Sequence, residues 1–239
     1  MPPARGGLAG AGVSIEAWKW IGEALEDRLT PKRESAPRPG STHTRGSEIG
    51  GCKRRTAYRL RMVEQRPVLP KHWFLLFQGG HLWHGWLQEV VKSLLGGDII
   101  GVQIEPRVPK EFQDTFRISG RGDVLFTRRD GEKLLLEIKT LTSKEYGLLE
   151  YPSERHLDQT TVYQAALGAS TAWLLYCNRE TGAHTAAVPP YLREFDAARW
   201  AAIRERIETC AQDPWPEPEP GSDCDFCDFA WKCPARGAP

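Results

Sequence analysis

Residues 120–140, GRGDVLFTRRDGEKLLLEIKT, constrain this chain more than any other stretch. Val124, Leu125 and Phe126 make an apolar run, Arg129-Asp130-Gly131 a turn, and Leu134, Leu135, Leu136 and Ile138 a second run, which is the pattern of a β-hairpin. Side chains alternate along a strand, so Leu134, Leu136 and Ile138 share one face while Leu135, Glu137 and Lys139 share the other. Two charges inside such a strand are costly unless partnered, although an edge strand with its second face in water carries the same pattern. Register decides what joins them, because a one-residue slip turns every side chain over. A two-residue Asp130-Gly131 loop pairs positions summing to 261 and sets Asp123 against Ile138. A three-residue loop with Gly131 left-handed pairs positions summing to 260 and sets Asp123 opposite Glu137. The three-residue loop is predicted here, and with it a face holding Asp123, Glu137 and Lys139.

With 239 residues the chain can hold one well-buried domain with appendages, or two small ones. No apolar run approaches the ~20 residues of a membrane span, and no apolar signal core opens the sequence. A cytoplasmic protein with no membrane partner is expected. Residues 1–46 read as an arm: a Gly/Ala/Pro-rich start, a helix from Ser14 to about Leu29 with Ile15, Trp18, Ile21 and Leu25 on a core-facing stripe, and a Pro/Ser/Arg-rich linker. Residues 47–239 read as the main domain. Near Cys52 a short helical segment carries Lys53, Arg54, Arg55, Arg59 and Arg61. It lacks acidic partners of its own, so it is either a solvated helix face or a set of phosphate contacts.

A helix from about Trp73 to Leu95 is apolar over much of its girth and is expected to be buried. His84 and Gln88 share one of its faces, and His81 is a second candidate that spacing alone does not exclude. A strand over about 99–108 follows, then the hairpin, a helix over about 153–168 with Gln159 and Tyr163 four apart, a strand over 170–178 and a helix over about 196–211. The strand–helix–strand unit implies a parallel pair. The order α, α, β, β, β, α, β, α describes an α/β fold, a mixed central β-sheet flanked by helices.

Charge is unevenly spread. Residues 1–66 carry 13 Lys and Arg against 7 Asp and Glu, whereas residues 207–239 carry 2 against 7. The basic end suits a polyanion and the acidic end does not. The acidic end also holds Cys224, Cys227 and Cys233, spaced C-x2-C-x5-C and followed by Pro234. Three thiols this close point to soft-metal ligation. Cys52, 172 residues before Cys224, is the natural fourth ligand, and a shared centre clips the two ends together. Spacing alone leaves zinc and an iron–sulfur cluster both open. Cys177 and Cys210 read as buried thiols.

Asp123 with Glu137-Ile138-Lys139 resembles the D…(D/E)-x-K core of the PD-(D/E)XK nuclease superfamily. Gly80 and His84 in GHLWH, and Gln159 with Tyr163, look like the G-x-x-x-H and Q-x-x-x-Y segments of its RecB-like branch. That match selects His84 over His81. Cys52 before Lys53-Arg54-Arg55, together with the cysteine triplet, resembles the iron–sulfur members, among them CRISPR-adaptation exonucleases, the AddB nuclease domain and phage exonucleases. The likeness covers roughly residues 47–235; one departure is that Gly122, not Pro, precedes Asp123.

The resemblance implies a restriction-endonuclease-like core and a Mg²⁺- or Mn²⁺-dependent DNA exonuclease with a structural [4Fe–4S] cluster on Cys52, Cys224, Cys227 and Cys233. It implies a metal held by Asp123, Glu137, the Ile138 carbonyl and His84 Nε2, where a histidine favours Mn²⁺. Lys139 would orient or deprotonate the attacking water, and Gln159 and Tyr163 would position that water or the DNA backbone. Lys53, Arg54, Arg55 and Arg59 would track DNA, as ends or single strands, with recombination or repair proteins as further partners. Two other readings are an inactive DNA-binding or adaptor module of the same fold, and a zinc-stapled protein without nuclease activity.

Overall fold

The computed structural model describes residues 38–66, 71–93, 96–185, 191–213 and 215–236. The helix expected over residues 14–29 lies outside them. Its elements run Thr44–Arg45 (β1), Lys53–Leu60 (α1), Lys71–Lys92 (α2), Ile99–Ile104 (β2), Lys110–Phe116 (α3), Ile118–Ser119 (β3), Val124–Arg128 (β4), Lys133–Leu141 (β5), Ser143–Gly147 (α4), Glu154–Leu167 (α5), Thr171–Asn178 (β6), Leu192–Glu194 (β7) and Ala197–Gln212 (α6). Short 3-10 turns follow through the cysteine tail. Sequence marks the main helix ends: the Ser153 hydroxyl accepts from His156 N–H before α5, left-handed Gly168 at φ 70° follows it, and Asp196 caps α6.

The sheet is mixed, in the order β2-β4-β5-β6-β7, with β5 and β6 parallel and the other neighbours antiparallel. In the hairpin Val124 pairs with Leu136 and Thr127 with Lys133, the register expected of a three-residue loop. Arg128 N–H reaches the Glu132 carbonyl at 2.8 Å, and Gly131 takes φ 87° inside the loop. One face of the sheet packs Val124, Leu136 and Ile138 against Leu87 and Val91 of α2. The other packs Leu125 and Leu135 against Val162 and Leu167 of α5, with α1 and α6 behind.

Several boundaries differ from expectation. The strand expected to Val108 stops at Ile104, because Glu105 takes φ 48° and Pro106 follows. Helix α2 is not buried all round: Leu82 is 76% and Trp86 57% exposed, since only the stripe with Leu87 and Val91 meets the sheet. Strands β1, β3 and β7 are too short to carry a periodic signal. Packing also begins before residue 47, for β1 runs parallel to β3 and Arg38 bridges to Gln65. Among the described residues, no helix is long and apolar enough to cross a membrane.

Tail and basic segment meet. Arg54 donates to the carbonyls of Pro216 and Trp215, and the Tyr58 hydroxyl donates to that of Lys232. Arg59, almost wholly buried, pairs with Glu48 at 2.6 Å and Asp228 at 3.3 Å. Part of the charge asymmetry in the sequence is therefore satisfied inside the chain.

Candidate active site and cysteine cavity

Glu137 lies in mid-β5 between Leu136 and Ile138, and only 2% of it is exposed. Each large apolar neighbour contributes about 1.5–3 kcal/mol by burial, so the strand can carry one badly placed carboxylate. Glu137 Oε1 accepts from Lys139 Nζ at 2.8 Å and from Gln159 Nε2 at 2.7 Å. Lys139 Nζ also donates to Gln159 Oε1 at 2.9 Å, closing a triangle. Glu137 Oε2 is buried without a hydrogen-bond partner. Burial, helped by the charge of Asp123 and opposed by Lys139, pushes the Glu137 carboxyl up to about 7.

Asp123 precedes β4, where the hairpin register sets it beside Glu137. Its Oδ2 accepts the Ile138 N–H at 2.6 Å, and its Oδ1 lies 3.2 Å from His84 Nδ1. Burial would lower the His84 pKa, but the hydrogen bond to Asp123 and its charge outweigh that and raise it. In the neutral ring with Nδ1–H donated to Asp123, Nε2 keeps its lone pair for a cation. Gln88 Nε2 donates to the Asp123 carbonyl at 3.5 Å. His81 sits on the exposed side of α2, away from this group. Asp123, Glu137, Lys139, Gln159 and His84 are thus brought together, with the Ile138 backbone between them.

Tyr163 is nearly fully buried rather than lining an open cleft, and burial raises its pKa. A Cβ on Gly46 or on Gly120 would come within 2.7 Å of its hydroxyl oxygen, so both glycines are needed for its approach. It braces the chain leading into Asp123. His156, one turn before Thr160, was not legible as part of this region. Its Nδ1 lies 2.8 Å from the Tyr176 hydroxyl, and burial with nearby Lys139 and Arg155 lowers its pKa to about 4. Only the pairing of Lys139 with Tyr176 across β5 and β6 reveals it.

Cys52, Cys224, Cys227 and Cys233 all line one cavity of about 350 Å³ between α1, α6 and the tail. Cys52 Sγ accepts the Glu219 N–H and Cys224 Sγ the Gly221 N–H, each at 3.4 Å. Arg54, Arg55, Arg155, Arg206 and Arg236 line the same cavity. Cys177 and Cys210 are buried elsewhere, their pKa values raised by burial. Among the described residues, no three His, Cys, Asp or Glu side chains converge tightly enough to hold a single ion. The donor sets still fit the implied groups. The orphaned, buried Glu137 oxygen beside Asp123 suits a hard cation, and four thiols around a cavity of this size, with cationic walls, suit a polynuclear anionic cluster.

The basic segment departs most from expectation. Arg59 and Arg54 are buried, and Arg55 pairs with Glu48 at 3.2 Å. Of the four residues expected on DNA, Lys53 is the most exposed, half-buried with its ammonium 3.6 Å from Glu219. A guanidinium already desolvated against Glu48 and Asp228 is not presented to a phosphate, so Arg59 is a strut of the fold.

The model for the PD-(D/E)XK nuclease superfamily matches residues 52–234, a span running from the first cysteine of the cavity past the last. Among solved structures, the one described as SSO0001 aligns with a TM-score of 0.54 at 19% identity, covering 91% of this chain and 97% of that one. An alkaline exonuclease, LHK-Exo from Laribacter hongkongensis, aligns with a TM-score of 0.50 at 13% identity, covering 72% of this chain and 88% of that one. At such identities the likeness is one of fold. No curated protein matches this chain.

Proposed function

The chain belongs to the PD-(D/E)XK nuclease superfamily, and on that premise we propose that it is a metal-dependent DNA exonuclease of the RecB-like iron–sulfur branch. The observation that carries this reading is the buried Glu137 oxygen without a partner, next to Asp123 and Lys139. A carboxylate left in that state costs stability, and a cation beside it removes the cost. Asp123, Glu137, the Ile138 carbonyl and His84 Nε2 would hold Mg²⁺ or Mn²⁺. When bound, the ion supplies charge stabilisation at the scissile phosphate and its leaving oxygen.

The protein groups do the rest. An ammonium has three donors, and Lys139 spends two on Glu137 and Gln159. Its third can hold the attacking water or a phosphate oxygen in line. Gln159 locks Lys139 and Glu137 at a fixed separation, and Tyr163 supports the turn bearing Asp123. The four cysteines would hold a structural [4Fe–4S] cluster that fastens the tail to α1. One neighbour in fold is described as an alkaline exonuclease, which agrees with the exonuclease reading. We place the catalytic unit in the main domain, with residues 1–46 as an added arm.

The test is anaerobic purification, iron analysis and a visible spectrum, followed by incubation with end-labelled DNA and Mn²⁺ or Mg²⁺. Cation-dependent shortening from the ends, lost in Lys139→Ala, is expected. Cleavage unaffected by that substitution overturns the assigned site, and a colourless zinc protein overturns the cluster.

A further inference from the structure

One guanidinium joins the cysteine tail to the helix that carries Gln159. Arg155, on the first turn of α5, donates from Nη1 to Asp223 Oδ2 and from Nη2 to the Ser47 carbonyl at 3.0 Å. Asp223 immediately precedes Cys224 and also lies 3.7 Å from Arg55 Nη1. Arg155 and Asp223 both border the cysteine cavity. The loop before Cys52 lies against the same turn: at Gly50, φ 76°, a Cβ would come within 2.6 Å of Asp158 Oδ2 and 3.5 Å of the Arg155 Cα. One turn further along α5, Gln159 reaches Lys139 at 2.9 Å and Glu137 at 2.7 Å.

We propose that Arg155 is a positioning residue: by tying the first turn of α5 to Asp223 and Ser47, it sets Gln159 over Glu137 and Lys139. The cysteine tail thereby becomes part of the frame that aligns the catalytic groups. Residues four apart stack on one helix face, so a shift of the first turn is passed to the Gln159 amide. Reaction rates respond steeply to sub-ångström misplacement, whereas ion pairs as exposed as this one, with side chains 38% and 41% accessible, add little to stability. Three of the five guanidinium N–H groups are directed at Asp223 and Ser47, within the fold.

The activity arm of this inference rests on the nuclease reading; the structural arm does not. Hydrogen exchange over residues 154–163 is compared in wild type, Arg155→Met and Asp223→Ala, beside iron content and Tm. Faster exchange confined to the start of α5, with iron and Tm unchanged, is expected. In cleavage assays kcat for Arg155→Met should fall about 10–100-fold at constant KM, and Arg155→Lys should recover part of it. The double variant Arg155→Met/Gln159→Ala should be no slower than Gln159→Ala alone, as for two residues acting through one contact. Unchanged exchange, additive losses, or a raised KM at constant kcat each overturn the proposal. If the wild type cleaves no DNA, the nuclease reading falls and the exchange result alone decides the role of Arg155.

Discussion

Glu137 and Lys139 lie two residues apart on one strand, and a hairpin of fixed register brings Asp123 beside them. Cys52 and Cys224 lie 172 residues apart and border one cavity only after α1, α6 and the tail have come together. The carboxylate face is local, and it weakens the fold, since it buries a carboxylate oxygen with no partner. The cysteine cavity is non-local, and the contacts around it join α1 to the tail: Arg54 to the Pro216 carbonyl, Arg59 to Asp228 and the Glu219 N–H to Cys52 Sγ. The proposed active site costs stability, and the contacts around the cysteine cavity add it.

The contrast sets the direction of each substitution. The largest effect is expected at the cavity: Cys224→Ala or Cys233→Ala should lose bound metal and destabilise by on the order of 5 kcal/mol or more, measured by iron content and thermal unfolding. At the carboxylate face Glu137→Gln should lower cleavage about 10³-fold while leaving Tm unchanged or higher in metal-free buffer. A large fall in Tm there would break the comparison. Arg59→Met removes one partner of a buried network and should cost about 3–5 kcal/mol, with no change in the salt dependence of DNA binding. A reduced salt slope would return Arg59 to the DNA surface.

A smaller effect follows from His156. Its folded pKa of about 4 lies below the ordinary 6.5, so the fold must keep it neutral. Stability from this group is complete above pH 6.5 and is lost as pH falls towards 4, by up to about 3 kcal/mol at ~1.4 kcal/mol per pH unit. His156→Asn should flatten the acid limb of the stability curve relative to wild type, read by denaturant unfolding at pH 7 and pH 4.5.

How far sequence reaches follows the same division. Of the two loops that Asp130-Gly131 allows, the three-residue one was expected and is the one formed, with Gly131 left-handed, and every residue that choice needs is local. Gln159 was drawn to the site only through its likeness to the Q-x-x-x-Y segment, and it does meet Glu137 and Lys139 of β5. Two kinds of partner engage Arg54, Arg55 and Arg59: Glu48, just outside the helix, for Arg55 and Arg59, and Trp215, Pro216, Asp223 and Asp228, more than 150 residues away. A run of cations with no acid inside its own helix looks the same whether it meets phosphate or such partners. The outer face of α2 was misread because Leu82 and Trp86 are apolar yet point away from the sheet. His156 and the glycines beneath Tyr163 acquire meaning only from contacts across strands.

The most direct test of the carboxylate face is Mn²⁺ binding, followed by electron paramagnetic resonance on protein stripped of divalent cations under conditions that leave any metal on the cysteines in place. Saturable Mn²⁺ binding is expected in wild type, weakened about tenfold or more by Glu137→Gln and by Asp123→Asn. Equal affinity in all three proteins would contradict it.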